Sequence, residues 1–213
     1  KYQGVKNIMP VSINGSGTIT GISVGGLPDG IVDTDMIAAA AVTASKRGAG
    51  AILQVKQTIK KSFFSTSTVN SGVDVTGTEV QITPSSSSNK ILVMASGYYG
   101  NDNNDSFAHL YLVRQIDSGS NDTGIAVGDT RGTSTRATMG AALRSGGGQS
   151  NNISRSFSCQ FLDSPNTTGV CKYRLRMFVT QGTPACVGGS ATAGNDPNRG
   201  SYPTFVTAME VSA

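Results

Sequence analysis

The chain has 213 residues, of which 14% are charged and 27 are glycine, whereas ordinary globular proteins are about 25% charged and about 7% glycine. The net charge of +4 is spread over small groups of Lys and Arg without a dense basic stripe, which argues against nucleic-acid binding, and no apolar run approaches the ~20 residues of a membrane span. Three cysteines are too few, and odd in number, for a disulfide scaffold.

The N-terminal segment 11–27 is rich in glycine and sparse in apolar residues. Glycine and hydroxyl residues separate Ile13, Ile19, Ile22 and Val24. Such a segment cannot build a core alone, but copies from neighbouring chains can bury these side chains around a shared axis. We therefore predict an extended stem in a homotrimer, with a flexible Gly/Ser linker as the alternative.

One short helix is predicted after the turn signal at Pro28-Asp29-Gly30. It covers about 33–45, because Asp33 or Thr34 can cap its first turn. Its apolar face is thin, and Met36 and Ile37 are assigned to the same trimer core as the stem. Residues 1–50 are thus predicted to form the stem, and residues 51–213 a separate head.

From Ile52 onward the apolar residues follow a period of two, with turn signals between the runs. At least eight antiparallel strands over about 160 residues are typical of a β-sandwich. The fold class is therefore all-β, with a jelly-roll-like antiparallel head. The predicted strands are marked by apolar residues, listed here by their limits: Leu53–Phe63, Val80–Ile82, Ile91–Tyr99, Phe107–Ile116, Ala137–Leu143, Phe157–Phe161, Cys171–Val179 and Phe205–Val211.

Segments 153–162 and 170–180 are close enough in the chain to form an antiparallel hairpin. In that register Cys159 faces Cys171 on the apolar, odd-numbered face. We expect buried free thiols there, with a cross-strand disulfide as the alternative.

Tyrosines stand beside loops rich in Asn and Asp, a combination suited to carbohydrate or protein recognition. An aromatic ring offers an apolar stacking face, and the amide and carboxylate groups offer directional hydrogen bonds. Core-edge tyrosines and solvated loops are the alternatives, and the acidic loop lacks the full calcium-loop pattern. The candidate receptor-binding residues are Tyr98, Tyr99, Asn101, Asp102, Asn104, Asp105, Asn195, Asp196, Asn198 and Tyr202.

Other chemistry-bearing residues favour structural roles. His109 is the single histidine and lies in an apolar strand without a nucleophile-elbow signature. Lys172, Arg174 and Arg176 alternate onto one strand face and are interpreted as a solvated stripe, with an anionic-glycan footprint as the alternative. We expect no enzyme activity, metal or cofactor.

Three stretches resemble tail-fibre and other virion structural proteins of marine bacteriophages. They are SGTITGISVGGLPDGIVDTDMIAAAAVTASKRGAGAI at 16–52, VQITPSSSSNKILV at 80–93 and SYPTFVTAMEV at 201–211. The first is similar to a unit that joins a stem to a head in those proteins, and the other two to the first and last strands of the head. The resemblance implies a homotrimeric fibre with an exposed β-rich head.

The predicted function is therefore host attachment by a virion fibre protein, located in the virion on the particle surface. Its partners would be its own copies, other virion proteins at the N-terminal side, and a host-surface glycan or protein, with no nucleic acid and no membrane insertion. A capsid or tail decoration or capping protein that contacts no receptor is the alternative.

Overall fold

The computed structural model describes residues 12–13, 19–20, 42, 46–101, 106–119, 122–143, 154–180, 184–190 and 200–213. The chain divides into two units, residues 1–46 and 47–213. In the first, β1 (Ser12–Ile13) and β2 (Ile19–Thr20) pair antiparallel, which places Ile13 opposite Ile19. The other predicted stem-core residues, Ile22, Val24, Met36 and Ile37, and the helix apart from Val42 lie outside the described residues.

The described part of the second unit consists of antiparallel strands and confirms the predicted β-sandwich. Its strands are β3 (Ile52–Lys60), β4 (Phe64–Thr66), β5 (Gly72–Asp74), β6 (Val80–Ile82), β7 (Lys90–Asn101), β8 (Ser106–Ile116), β9 (Thr123–Ile125), β10 (Met139–Leu143), β11 (Ser154–Asp163), β12 (Cys171–Val179), β13 (Ala185–Val187) and β14 (Thr204–Val211).

The strands form two sheets. Sheet I contains β3, β14, β7 and β11 in that order, with β13 and β4 continuing the lines of β14 and β3. Sheet II contains β10, β8 and β12, with β9 continuing the line of β10, and β5 and β6 both beside β12. The chain passes repeatedly from one sheet to the other, as in a jelly roll.

The core lies between the inner faces of the two sheets. In β12 the odd-numbered residues point inward, and in β7 the odd-numbered residues do the same from the opposite sheet. Burial of these side chains is the main stabilising term of the sandwich. The fully buried positions include Val75, Ile82, Ile91, Val93, Leu110, Leu112, Tyr173, Leu175, Met177 and Val179.

The predicted hairpin between segments 153–162 and 170–180 is wrong. Cys159 of β11 pairs with Ala95 in sheet I, whereas Cys171 of β12 pairs with Ile116 in sheet II. The connecting loop crosses from one sheet to the other, and both odd-numbered faces reach the core from opposite sides. Alternation specifies which face of a strand is buried but not its partner. Cys159 and Cys171 are free thiols.

The first and last strands of the head carry apolar residues on the outer surface of sheet I. Val55 of β3 is 53% exposed and stands opposite Met209 of β14. The inward positions of β14 are instead the even-numbered ones, including Val206 and Ala208. An apolar alternation that resembles a core face in the sequence is therefore exposed here.

Candidate recognition site

The strand registers place one end of the sandwich far from the point where the chain enters it. Ile52, the first residue of β3, stands opposite Val211, which in turn stands opposite Lys90. At the other end of the same sheet, Gly100 stands opposite both Ser154 and Cys186. We call this second end the loop end.

Several connections start or finish at the loop end. The segments 102–105, 144–153 and 181–183 each join strands whose described ends lie there. Segment 191–199 leaves and rejoins sheet I beside Tyr98, because the Gly188 amide donates to the Tyr98 carbonyl at 2.9 Å and the Tyr202 amide donates to the Gly188 carbonyl at 2.9 Å. The described residues that flank the two predicted recognition loops therefore lie toward the same end of the head.

The structure brings two of the sequence-predicted tyrosines together. The rings of Tyr98 and Tyr202 stack with centroids 4.1 Å apart and an interplanar angle of 25°. Tyr98 points outward and is 36% exposed. A Cβ at Gly200 would collide with the Tyr202 ring, so the chain needs glycine at that position for the ring to take this place. The pair offers an aromatic surface toward the loop end of sheet I.

Tyr99 does not share this surface, because successive residues of a strand point to opposite faces. It is 6% exposed, packs against Phe157 with ring centroids 6.1 Å apart, and belongs to the core. Burial raises the pKa of the Tyr99 hydroxyl.

The remaining predicted site residues fall in or beside the loops. Asn101 is the last residue of β7. Asp102, Asn104, Asp105, Asn195, Asp196 and Asn198 lie outside the described residues.

The predicted solvated stripe on β12 is wrong. Arg174 donates from Nε to Asp74 Oδ2 at 2.7 Å and from Nη2 to Asp122 Oδ1 at 2.7 Å. Arg176 donates to the other oxygen of each carboxylate. Burial opposes ionisation of Asp74 and Asp122, but the arginine hydrogen bonds outweigh it and lower the pKa of both carboxyls.

This arrangement neutralises the two arginines. Because each carboxylate bridges both guanidinium groups, neither arginine is available as a free positive charge for an anionic glycan. The sequence could not show this, since Asp74 and Asp122 come from distant parts of the chain.

A hollow of about 640 Å³ lies on the outer face of sheet II and was not foreseen from the sequence. Tyr111 and Phe178 form part of its lining and meet edge to face, with ring centroids 6.3 Å apart. Arg136 also lines it and donates from Nε to the Gly128 carbonyl at 2.7 Å. Aromatic side chains beside a guanidinium can hold a ligand with an apolar face and a hydrogen-bond acceptor.

His109 is half-buried in β8 with its ring against Gly140, and burial lowers its pKa. Within the described ranges, no group of three or more His, Cys, Asp and Glu is placed to hold a metal ion. The same part of the chain contains no helix long and apolar enough to cross a membrane.

Comparison with known proteins gives similarity in structure only. No family model and no curated protein sequence matches the chain. The structure of Eiger TNF from S. frugiperda is similar over 71% of this chain and 90% of that chain, with 12% identity and a TM-score of 0.37. The structure of infectious bursal disease virus Gx strain is similar over 75% of this chain, which spans 37% of that chain's length, with 13% identity and a TM-score of 0.34.

Proposed function

We propose that this chain is a virion structural protein that attaches the particle to a host surface through the loop end of its β-sandwich. The observation that carries the proposal is the position of the stacked Tyr98–Tyr202 pair, toward the end of sheet I opposite Ile52. When the N-terminal side of the chain is attached to the particle, the loop end is the part of the head that meets the host surface first. The proposed stem, residues 1–50, holds the protein in a homotrimer and joins it to other virion proteins.

The chemistry of the loop end suits a neutral or weakly charged ligand. Segments 102–105, 144–153 and 191–199 are rich in Asn and Gly and carry three Asp against two Arg. The Asn and Asp side chains supply hydrogen bonds, and the tyrosine pair supplies a stacking surface. A glycan or a polar protein loop presents the same mixture of apolar faces and hydroxyl or amide groups. We propose a host-surface glycan or protein as the receptor.

We also propose that the chain is not an enzyme and uses no cofactor. Glycan hydrolysis requires two carboxylates free to act on the scissile bond. The paired carboxylates of sheet II, Asp74 and Asp122, each accept hydrogen bonds from both Arg174 and Arg176. A pair whose oxygens are occupied in this way suits a structural role.

A second candidate function is a decoration or capping protein that contacts no receptor. The specific observation in its favour is the apolar outer face of sheet I, where Val55 and Leu162 are 53% and 46% exposed. Such a face suits protein–protein assembly. The two functions differ in receptor binding, because only the attachment protein binds the host surface.

Antibody labelling and competition test the proposal together. We expect an antibody against this chain to label intact particles, and micromolar purified chain to slow adsorption of those particles to their host cells. Labelling without competition would favour the decoration protein. Absence of label on particles would contradict a virion role of either kind.

A further inference from the structure

The outer face of sheet I is nearly uncharged, and its apolar side chains concentrate on β3 and β14, whereas β11 contributes mainly Ser and Gln. Alternation places on it every second residue of four neighbouring strands, in registers that the pairing fixes. One cross-strand row is apolar over the full width of the sheet, with its members in direct register. That row is Val55, Met209, Leu92 and Leu162.

Further apolar side chains extend this row along the strands. Ile59 of β3 is 47% exposed and stands opposite Phe205, which is half-buried. Gln57 and Thr207 lie between this pair and the apolar row and form a hydrogen bond with each other, in which Gln57 Nε2 donates to Thr207 Oγ1 at 2.8 Å. The polar groups at the centre of the face are therefore partly paired within the chain.

Charge distinguishes this face from the opposite side of the sandwich. Among the described residues that alternate onto the outer face of sheet I, the charged one is Lys90, at its edge beside Val211. The outer face of sheet II carries the cluster of Arg174, Arg176, Asp74 and Asp122. The outer face of sheet II thus carries an internally neutralised ion-pair cluster, whereas the outer face of sheet I carries exposed apolar side chains.

A second copy of this chain fits the apolar face better than a charged partner does. Where a face meets its own copy, each charge risks facing a like charge, and a face almost free of charge avoids that repulsion. Four strands at about 4.8 Å and nine residues at about 3.3 Å give a projected area of roughly 600 Å². The accessible surface of side chains exceeds the projection and approaches the roughly 800 Å² per partner of a stable interface.

We infer that the outer face of sheet I is an interface between copies of this chain in solution. The inference rests on the proposed function in one respect, that the chain acts as an oligomer, and it assigns part of the association to the head. Residues 1–46 precede β3 in the chain, and β3 is one of the strands that form this face. The competing occupants are residues 1–46 of the same chain and an unrelated protein.

Thiol labelling of the full chain tests this directly. Leu162→Cys places a thiol in the apolar row, and Val69→Cys places one beside sheet II, where Val69 is 37% exposed against 46% for Leu162. The wild-type chain serves as the blank for its three native cysteines. Both variants change an exposed residue, and circular dichroism and light scattering establish that each is folded and give its mass.

We expect an oligomeric mass at about 20 µM and labelling of Leu162→Cys by a bulky maleimide at least about tenfold slower than labelling of Val69→Cys. Equal labelling rates would overturn the inference, because the face would then be open to solvent. A mass of 21.9 kDa, that of one chain, would also overturn it, and protection in such a monomer would assign the face to residues 1–46. None of these readouts involves a host cell, so failure here is separate from failure of attachment.

Discussion

Replacing Asp163 by alanine is expected to lower the free energy of unfolding by about 3–5 kcal/mol. The Asp163 side chain is 6% exposed and accepts two hydrogen bonds from Arg114 Nη1, at 2.8 and 2.9 Å. It also accepts the Tyr173 hydroxyl at 2.8 Å. This network ties β11 of sheet I to β8 and β12 of sheet II. The substitution leaves a poorly hydrated guanidinium and a buried hydroxyl without their acceptor.

Two variants serve as controls in the same urea-denaturation measurement. Tyr173→Phe removes one hydrogen bond but keeps the ion pair, and we expect a loss of about 1–2 kcal/mol. Asp129→Ala changes an exposed carboxylate, and we expect a change within about 0.5 kcal/mol. A loss below about 1 kcal/mol for Asp163→Ala would show that the network does not hold the two sheets together.

Replacing Glu210 by glutamine is expected to cost about 2–3 kcal/mol at neutral pH. Glu210 is 1% exposed, and its carboxylate accepts four hydrogen bonds. The donors are the Ser85 amide at 2.6 Å, Ser85 Oγ at 2.7 Å, Asn89 Nδ2 at 2.6 Å and Gln54 Nε2 at 2.7 Å. Burial disfavours the charge of Glu210, but these hydrogen bonds outweigh it and lower its pKa.

The pH dependence of this loss follows from that lowered pKa. A carboxyl with a lower pKa in the folded than in the unfolded chain stabilises the fold above the unfolded value, about 4.3. The contribution disappears as the pH falls through the folded pKa. The difference in the free energy of unfolding between wild type and Glu210→Gln should therefore reach its maximum at pH 7 and decrease below about pH 4. A difference that stays constant from pH 7 to pH 3 would contradict this account.

The sequence predicted the strands and their faces better than their partners. A continuous apolar run identifies β7, and long runs with apolar residues identify β8, β12 and β14. The inward odd-numbered positions of β11 and β12 are as expected. Short strands such as β13 (Ala185–Val187) carry too few residues for a period to appear. The strand that pairs with β11 could not be predicted from the sequence, because alternation is equally compatible with a hairpin and with a connection that crosses between sheets.

The candidate site was partly visible in the sequence. Tyr98 and Tyr202 were identified from their neighbouring Asn- and Asp-rich loops, and the structure stacks them. Tyr99 shares the same sequence context but points inward. The hollow beside Tyr111 and Phe178 was missed, because aromatic residues within long strands are normally assigned to the core.

The apolar face of sheet I was missed for a related reason. Val55, Ile59 and Met209 follow the alternation of a core-facing strand, and in the sequence a buried face and an exposed apolar face look the same. Only the structure shows that the inward residues of β14 are the even-numbered ones, including Val206 and Ala208.

The central claim is attachment at the loop end, and the adsorption rate of particles carrying loop variants tests it most directly. Alanine at Asn101, Asp102, Asn104 and Asp105 together should slow adsorption at least about tenfold, because in the proposed attachment these side chains donate and accept hydrogen bonds with the receptor. The melting temperature should stay within about 2 °C, because substitutions of polar loop residues usually change stability little. Ser87→Ala with Ser88→Ala, two exposed positions on the turn before β7, is the matched control and should leave adsorption unchanged. Wild-type adsorption by the four-alanine variant would contradict attachment through this loop.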